Sequence, residues 1–196
     1  PSHNHKPGER WCRAMIHAIG MIESNSIAQG IECADIMSKT ADVTILVAKT
    51  ICPGKYMVLV SGDVSAVQQA VGAGEELGAE TIVDTFVIPN VHPSILPAIG
   101  RANTLKDIKA LGIIETYTVA SLIEAADAAV KAGDVEPILL HLAFGIGGKS
   151  YTLLTGEVAS VKAAVEEGSA RAGEKGLLLR KVVIPRPAKQ LIESLI

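Results

Sequence analysis

The chain repeats itself. Set against each other, "AIGMIESNSIAQGIECADIMSKTADV" and "ALGIIETYTVASLIEAADAAVKAGDV" align at a constant separation of 92 residues, which puts Gly20 on Gly112, Glu23 on Glu115, Asp35 on Asp127 and Lys39 on Lys131. After a two-residue insertion, "GKYMVLVSGDVSAVQQAV" aligns with "GKSYTLLTGEVASVKAAV" at a separation of 94, so Gly62 falls on Gly156 and Val71 on Val165. A second insertion of two brings Ile88-Pro89 onto Ile184-Pro185. Two units of about 90 residues indicate duplicated domains, since solenoid units are shorter and more numerous.

Each copy reads strand–helix–strand–strand–helix–strand. In the first, residues 18–23 form a short apolar strand and 26–39 a helix, with Ser26 and Gln29 at capping-box spacing. Ile27, Ile31, Ala34 and Met37 recur along that helix at helical intervals. The β-branched run 43–48 predicts a buried strand, and 56–60 a second strand after a tight Pro-Gly turn. Asp63 is placed to cap a helix reaching about Leu77, whose Val64, Val67 and Val71 form one stripe. The last strand spans 81–88 and ends at Pro89, which has no N–H for a ladder. A sheet covered by two helices is an α/β sandwich. The expected division is a polar and disordered extension over 1–15, a first domain over 16–91, a linker over 92–109 and a second domain over 110–196. The linker holds Pro93 and Pro97 and is expected to carry a helical turn around 95–102.

Composition narrows the function. Aromatic residues are only 3% of the chain against 48% hydrophobic residues in all, so the core is built from small aliphatic side chains. A net charge of −3 leaves no basic footprint for nucleic acid. No apolar run is long enough to cross a membrane, and residues 1–13 contain no apolar signal-peptide core. The mean hydropathy of +0.35 therefore points to apolar surface used in subunit contacts. Cys12, Cys33 and Cys52 form an odd set without CxxC spacing, which argues against a disulfide framework or a one-chain zinc site and for a reduced, cytosolic protein. Cys33 occupies the position of Ala125 in the second copy and reads as a small buried helix residue. Cys12, His3 and His5 lie in the extension. His17, His92 and His141 have no carboxylate, Ser or Cys partner at readable spacing, so no catalytic group can be argued and an enzyme is not expected. The Gly-rich run before Lys149 is followed by strand residues and not by a helix, which excludes a P-loop.

The segments "ADIMSKTADV" and "ADAAVKAGDV", the turns "SGDVSAV" and "TGEVASV", and "VVIPRP" near the end resemble bacterial microcompartment shell domains. Two in one chain resemble the tandem-domain trimeric class, a pseudo-hexamer. "KTICPGK" and "HLAFGIGGKSY" further resemble the T-type, iron–sulfur shell proteins of propanediol-utilisation compartments. The match runs over about residues 16–190.

The resemblance implies a homotrimeric tile in a microcompartment shell within the cytoplasm, assembling with other shell proteins and serving a redox enzyme of the lumen. It implies that the loop between the second and third strands lines a central pore. The pore residues are then Thr50, Ile51, Pro53 and Gly54 in the first copy, and Phe144, Gly145, Ile146 and Gly147 in the second. It also implies that Cys52 ligates a [4Fe–4S] cluster on the three-fold axis. Read without the resemblance, Cys52 is an ordinary thiol in a turn. With it, three-fold symmetry supplies three equivalent thiolates, where one chain supplies one. Lys49 and Lys55 flank the loop and either offset cluster charge or simply face solvent. Lys39, Lys131 and Arg186 match the family's tile-edge contacts, with Asn90 in the place of Arg186 in the first copy. Two shell readings stay open: a tile with a redox cluster, and a tile with an open metabolite pore and a free thiol. A ligand-sensing or enzymatic α/β protein is a third, disfavoured by the lack of a polar active-site set.

Overall fold

The structure is a computed structural model and describes residues 18–99 and 108–195. The extension with Cys12, His3 and His5, the residue His17, and the linker segment 100–107 lie outside the described residues.

The first copy runs β1 (Ala18–Ser24), α1 (Ile27–Thr40), β2 (Val43–Ile51), β3 (Lys55–Gly62), α2 (Val64–Gly78) and β4 (Ile82–Pro89). A short helix α3 (Ile95–Ile99) follows, where the linker was expected to turn. The second copy repeats the order as β5 (Ala110–Thr116), α4 (Val119–Ala132), β6 (Val135–His141), β7 (Ser150–Gly156), α5 (Val158–Glu174) and β8 (Leu178–Ile184), and ends in α6 (Lys189–Leu195). The sheets are ordered β2-β3-β1-β4 and β6-β7-β5-β8, and each pairing is antiparallel. This is the expected tandem α/β architecture, and α6 is an element the sequence reading did not anticipate.

Strand β1 shows how alternation builds the layers. Ala18 and Ile22 face α1 and α2 and join a core with Cys33, Met37, Val67 and Val71. Ile19 and Met21 face the other way and join Phe86, Ile88, Val119 and Ile123 in a core that crosses between the copies. The first sheet is therefore covered by its own helices on one face and by α4 of the second copy on the other, so all seven residues of β1 are buried. Gly20 lets α2 come close: a Cβ there would lie 2.5 Å from Val71 Cγ2 and 2.6 Å from Val67 Cγ1. Gly112 meets Val165 and Val161 in the same way, at 2.7 and 2.8 Å.

Several local expectations are corrected. The Ser26 hydroxyl accepts the Gln29 N–H at 3.3 Å, but the Gln29 side chain donates to Glu32 and to the Leu77 carbonyl, so only half of a capping box forms. Asp63 stands at the N-cap of α2 without a side-chain cap bond. Pro89 closes β4 from within, paired with Ala18. Strand β2 reaches Ile51 and is an edge strand, half-buried or exposed along its length up to that residue, where a buried strand was expected. Along α1 the inward residues are Gly30, Cys33, Ala34 and Met37, whereas Ile27 and Ile31 point outward.

Candidate functional site

The turn between β2 and β3 consists of Cys52, Pro53 and Gly54, with Ile51 paired to Lys55 across its base. The Cys52–Pro53 peptide bond is cis, and Gly54 has φ +73°. Ile51 is buried, Cys52 half-buried, and Thr50, Pro53 and Gly54 exposed. The corresponding stretch between β6 and β7 is longer and carries Ala143 at φ +50°. Phe144 is 72% exposed, Gly145 and Gly147 are exposed and Ile146 is half-buried.

The two loops touch. The Cys52 N–H donates to the Ala143 carbonyl at 3.1 Å. Gly148, at φ +87°, is buried beneath the turn, and a Cβ there would lie 2.6 Å from Pro53 Cδ and 3.0 Å from the Cys52 carbonyl oxygen. The pore-loop residues named from sequence therefore occupy one end of the boundary between the copies. Lys49 and Phe144 line a shallow hollow there with His141, whose ring stacks on Tyr151 at a 5.1 Å centroid distance.

Among the described residues no three His, Cys, Asp or Glu side chains of one chain converge as a metal site. Cys33 is buried, donates to the Gly74 carbonyl at 3.4 Å, and has its thiol pushed up from the ordinary value by burial and by Glu32. It is a core residue, as its exchange with Ala125 suggested. Lys55 is committed to Glu23 at 2.7 Å, with the Glu23 carboxylate fully buried, so its charge is already balanced.

Glu23 is a residue whose part at the boundary the sequence reading did not identify. Its Oε2 accepts the N–H groups of Val119 and Ala120, at 2.9 and 3.3 Å, and so caps α4 from the other copy. Asp84 is a second such residue. It accepts the Thr118 and Ser121 hydroxyls at 2.6 and 2.7 Å and binds Lys175 at 2.9 Å. Lys175 also reaches Glu124 at 2.6 Å, and Arg171 meets Glu124 at 2.9 Å. Burial disfavours the charged Lys175, but the bonds and charges of Glu124 and Asp84 outweigh it and raise its pKa above the ordinary lysine value. Arg171 is raised chiefly by Glu124. The only sequence signal for these contacts was the pairing of Glu23 with Glu115 in the repeat.

The three residues expected at the tile edge sit apart from the loops. Lys39 pairs with Asp35 and Lys131 with Asp127, each at 2.5 Å, near the C-terminal ends of α1 and α4. Arg186 is exposed just beyond β8, and its counterpart Asn90 has φ +54°.

Comparison with known proteins gives the fold its family. The BMC domain model matches residues 18–91 and again 110–187. Over 182 residues the chain is 49% identical to the bacterial microcompartment shell protein PduT of Citrobacter freundii, covering 93% of this chain and 99% of that one. It is 29% identical to the carboxysome assembly protein CcmO of a Synechococcus strain, over 91% of this chain and 68% of the relative. Among solved structures, a microcompartment protein from Desulfitobacterium hafniense DCB superposes with a TM-score of 0.81 at 53% identity, covering 91% and 99% of the two chains. With two BMC domains in tandem and shell proteins matched across nearly its whole length, the chain belongs to the BMC-domain family and is a structural shell protein of a bacterial microcompartment.

Proposed function

We propose that three copies of the chain close into a flat ring of six domains, a shell tile, and that Cys52 from each chain holds one [4Fe–4S] cluster where the loops meet on the axis. The observation that carries the ring is a difference in burial between two equivalent faces. Val119 and Ile123 of α4 are fully buried against the first copy, whereas their counterparts Ile27 and Ile31 on α1 are 40% and 53% exposed. Helix α3 packs on β6, and its Ile95 is fully buried, while the equivalent Leu191 of α6 is exposed. Each chain thus offers one covered boundary and two halves of an open one. A head-to-tail contact of this kind closes into a ring when its rotation closes. Half-turn symmetry would match a face to itself, which these two unlike faces do not permit.

The donor set fits the cluster. One half-buried thiol stands at the loop junction, and three-fold symmetry makes three, leaving the fourth iron to a non-protein ligand. When bound, the cluster supplies one-electron transfer. This chain's part is to hold the ligands, through the bond from the Cys52 N–H to Ala143 and the support of Gly148. Such a tile would pass electrons between the two sides of the shell, with a redox enzyme of the lumen as partner. Lys39, Lys131 and Arg186 would meet neighbouring tiles.

The test is anaerobic reconstitution followed by sedimentation and analysis of iron and acid-labile sulfide. Wild-type protein is expected to sediment at three times the chain mass with about four irons per trimer. Cys52→Ser should remain trimeric and bind none. A trimer without iron would leave the open-pore tile as the function, and iron retained by Cys52→Ser would refute the ligand assignment.

A further inference from the structure

Inside the chain, the boundary between the copies sets an acid of the sheet against an acid and two cations of the helix side. Asp84 comes from β4 of the first copy, Glu124 from α4, and Lys175 lies between them, 2.9 and 2.6 Å away. Arg171 adds a second cation from α5.

The open faces carry the same positions with the charges rearranged. The registers Glu23↔Asp84 and Glu115↔Arg180 show that Arg180 of β8 stands where Asp84 stands in β4. It is exposed, and its side chain has no hydrogen bond or ion pair among the described residues. On the helix side, the repeat puts Ser26, Gln29 and Glu32 in the places of Thr118, Ser121 and Glu124. Leu77 replaces Arg171, and the turn Ala79–Thr81 has no residue matching Lys175, which falls in the second insertion. Glu32 is exposed and held only by the Gln29 amide at 2.9 Å. The cation has therefore moved from the helix side to the sheet side.

A second relationship, independent of those charges, points the same way. Glu23 is fully buried as the cap of α4, but among the described residues its counterpart Glu115 has only Lys149, 4.0 Å away. The N–H groups of Ile27 and Ala28, equivalent to the two that Glu23 accepts, have no acceptor among the described residues. Two N–H groups of α1 that its Ser26 cap leaves open and a weakly engaged carboxylate are thus presented on the two complementary open faces.

We propose, resting on the ring reading above, that the sheet face β5–β8 of one chain receives α1 of a second copy of the chain, with Glu115 capping α1 at Ile27 and Ala28 and Arg180 pairing with Glu32. The subunit boundary repeats the internal boundary in backbone and reverses which side supplies the cation. That reversal enforces alternation of the copies around the ring. The second sheet placed against α4 and α5 would bring Arg180 beside Lys175 and Arg171. The first sheet placed against α1 would set Asp84 against Glu32 with no cation between them. Like charges at a contact exclude wrong pairings more strongly than right ones are favoured.

The pairing is tested by subunit exchange between differently tagged trimers of the full chain, with sedimentation mass measured in parallel. Arg180→Glu and Glu32→Arg should each speed exchange by about tenfold or more, and the double variant should return it to within about threefold of wild type. Both positions are exposed in the single chain, so the circular dichroism spectrum should be unaltered and serve as the folding control. Exchange indifferent to either single change, or a double variant no better than the sum of the two, overturns the pairing while leaving the trimer intact. A wild-type chain that sediments as a monomer overturns the ring reading, and the pairing with it.

Discussion

Glu23 and Val119 stand 96 residues apart in the chain and are joined by a 2.9 Å hydrogen bond from the amide to the carboxylate, which also neutralises Lys55 at 2.7 Å. One side chain thus caps a helix of the other copy and anchors the loop that carries Cys52. Glu23→Ala leaves Lys55 half-buried without its partner and two helix amides unsatisfied. It should cost about 3 kcal/mol, read from chemical denaturation. The same change at Glu115 should cost the separate chain less than about 1 kcal/mol, because its one ion pair among the described residues is long and partly exposed.

Gly148→Ala tests the contact between the two loops. The new methyl group would lie 2.6 Å from Pro53 Cδ, on a residue held at φ +87°. Destabilisation of about 1–3 kcal/mol is expected, with greater protease sensitivity in the turn at Cys52. An unchanged melting temperature would mean that the loops are not docked on each other.

The Lys175 clamp makes a contribution with a defined sign in pH. The pKa of the folded form is raised above the ordinary lysine value of 10.5, so the stabilisation is complete below that pH and is lost as pH rises through the raised value. The melting-temperature difference between wild type and Lys175→Met should stay constant from neutral pH to about pH 9 and shrink above pH 10.5. A difference that instead fell on acidification through neutrality would assign the effect to another group.

Under the proposal that Lys131 meets neighbouring tiles, Lys131→Ala should act on assembly and not on the fold. Its bond to Asp127 is partly exposed, and such a pair is worth about 1 kcal/mol or less, a shift of no more than about 4 °C in a chain of this size. Electron microscopy should show loss of extended sheets with the sedimentation mass unchanged. A fall in mass would place Lys131 inside the tile.

The strand and helix order was legible because each copy supplies a check on the other. Gly20 and Gly112 align in sequence and share one steric role, as do the valines they approach. Helix α1 shows where pattern alone is not enough. The apolar stripe of α1 reads as one face in sequence, but it is two: Ala34 and Met37 meet their own sheet, while Ile27 and Ile31 look away from it, as Val119 and Ile123 do in α4. The β-branched residues of β2 suggest a buried strand, but it is an edge strand whose Leu46 and Val47 are only partly buried against the core. For the site, the loops could be named from sequence, but not the bond between Cys52 and Ala143, since a backbone carbonyl in a long loop leaves no trace in residue type. Glu23 and Asp84 were equally silent, because a carboxylate that caps a distant helix is written like one that faces water.

The longer loop before β7 has a consequence for how such a chain can change. In a ring made from one repeated domain, any substitution at the axis appears in every copy, and a loop that must hold a ligand cannot also become the spacer beside it. Fusion of two copies removes that constraint. Cys52-Pro53-Gly54 and the glycine-rich stretch at 145–148 occupy one position in the repeat, yet one is a short turn with a thiol and the other its backing. Duplication here acts as a division of labour, in which half the domains are free to serve the other half.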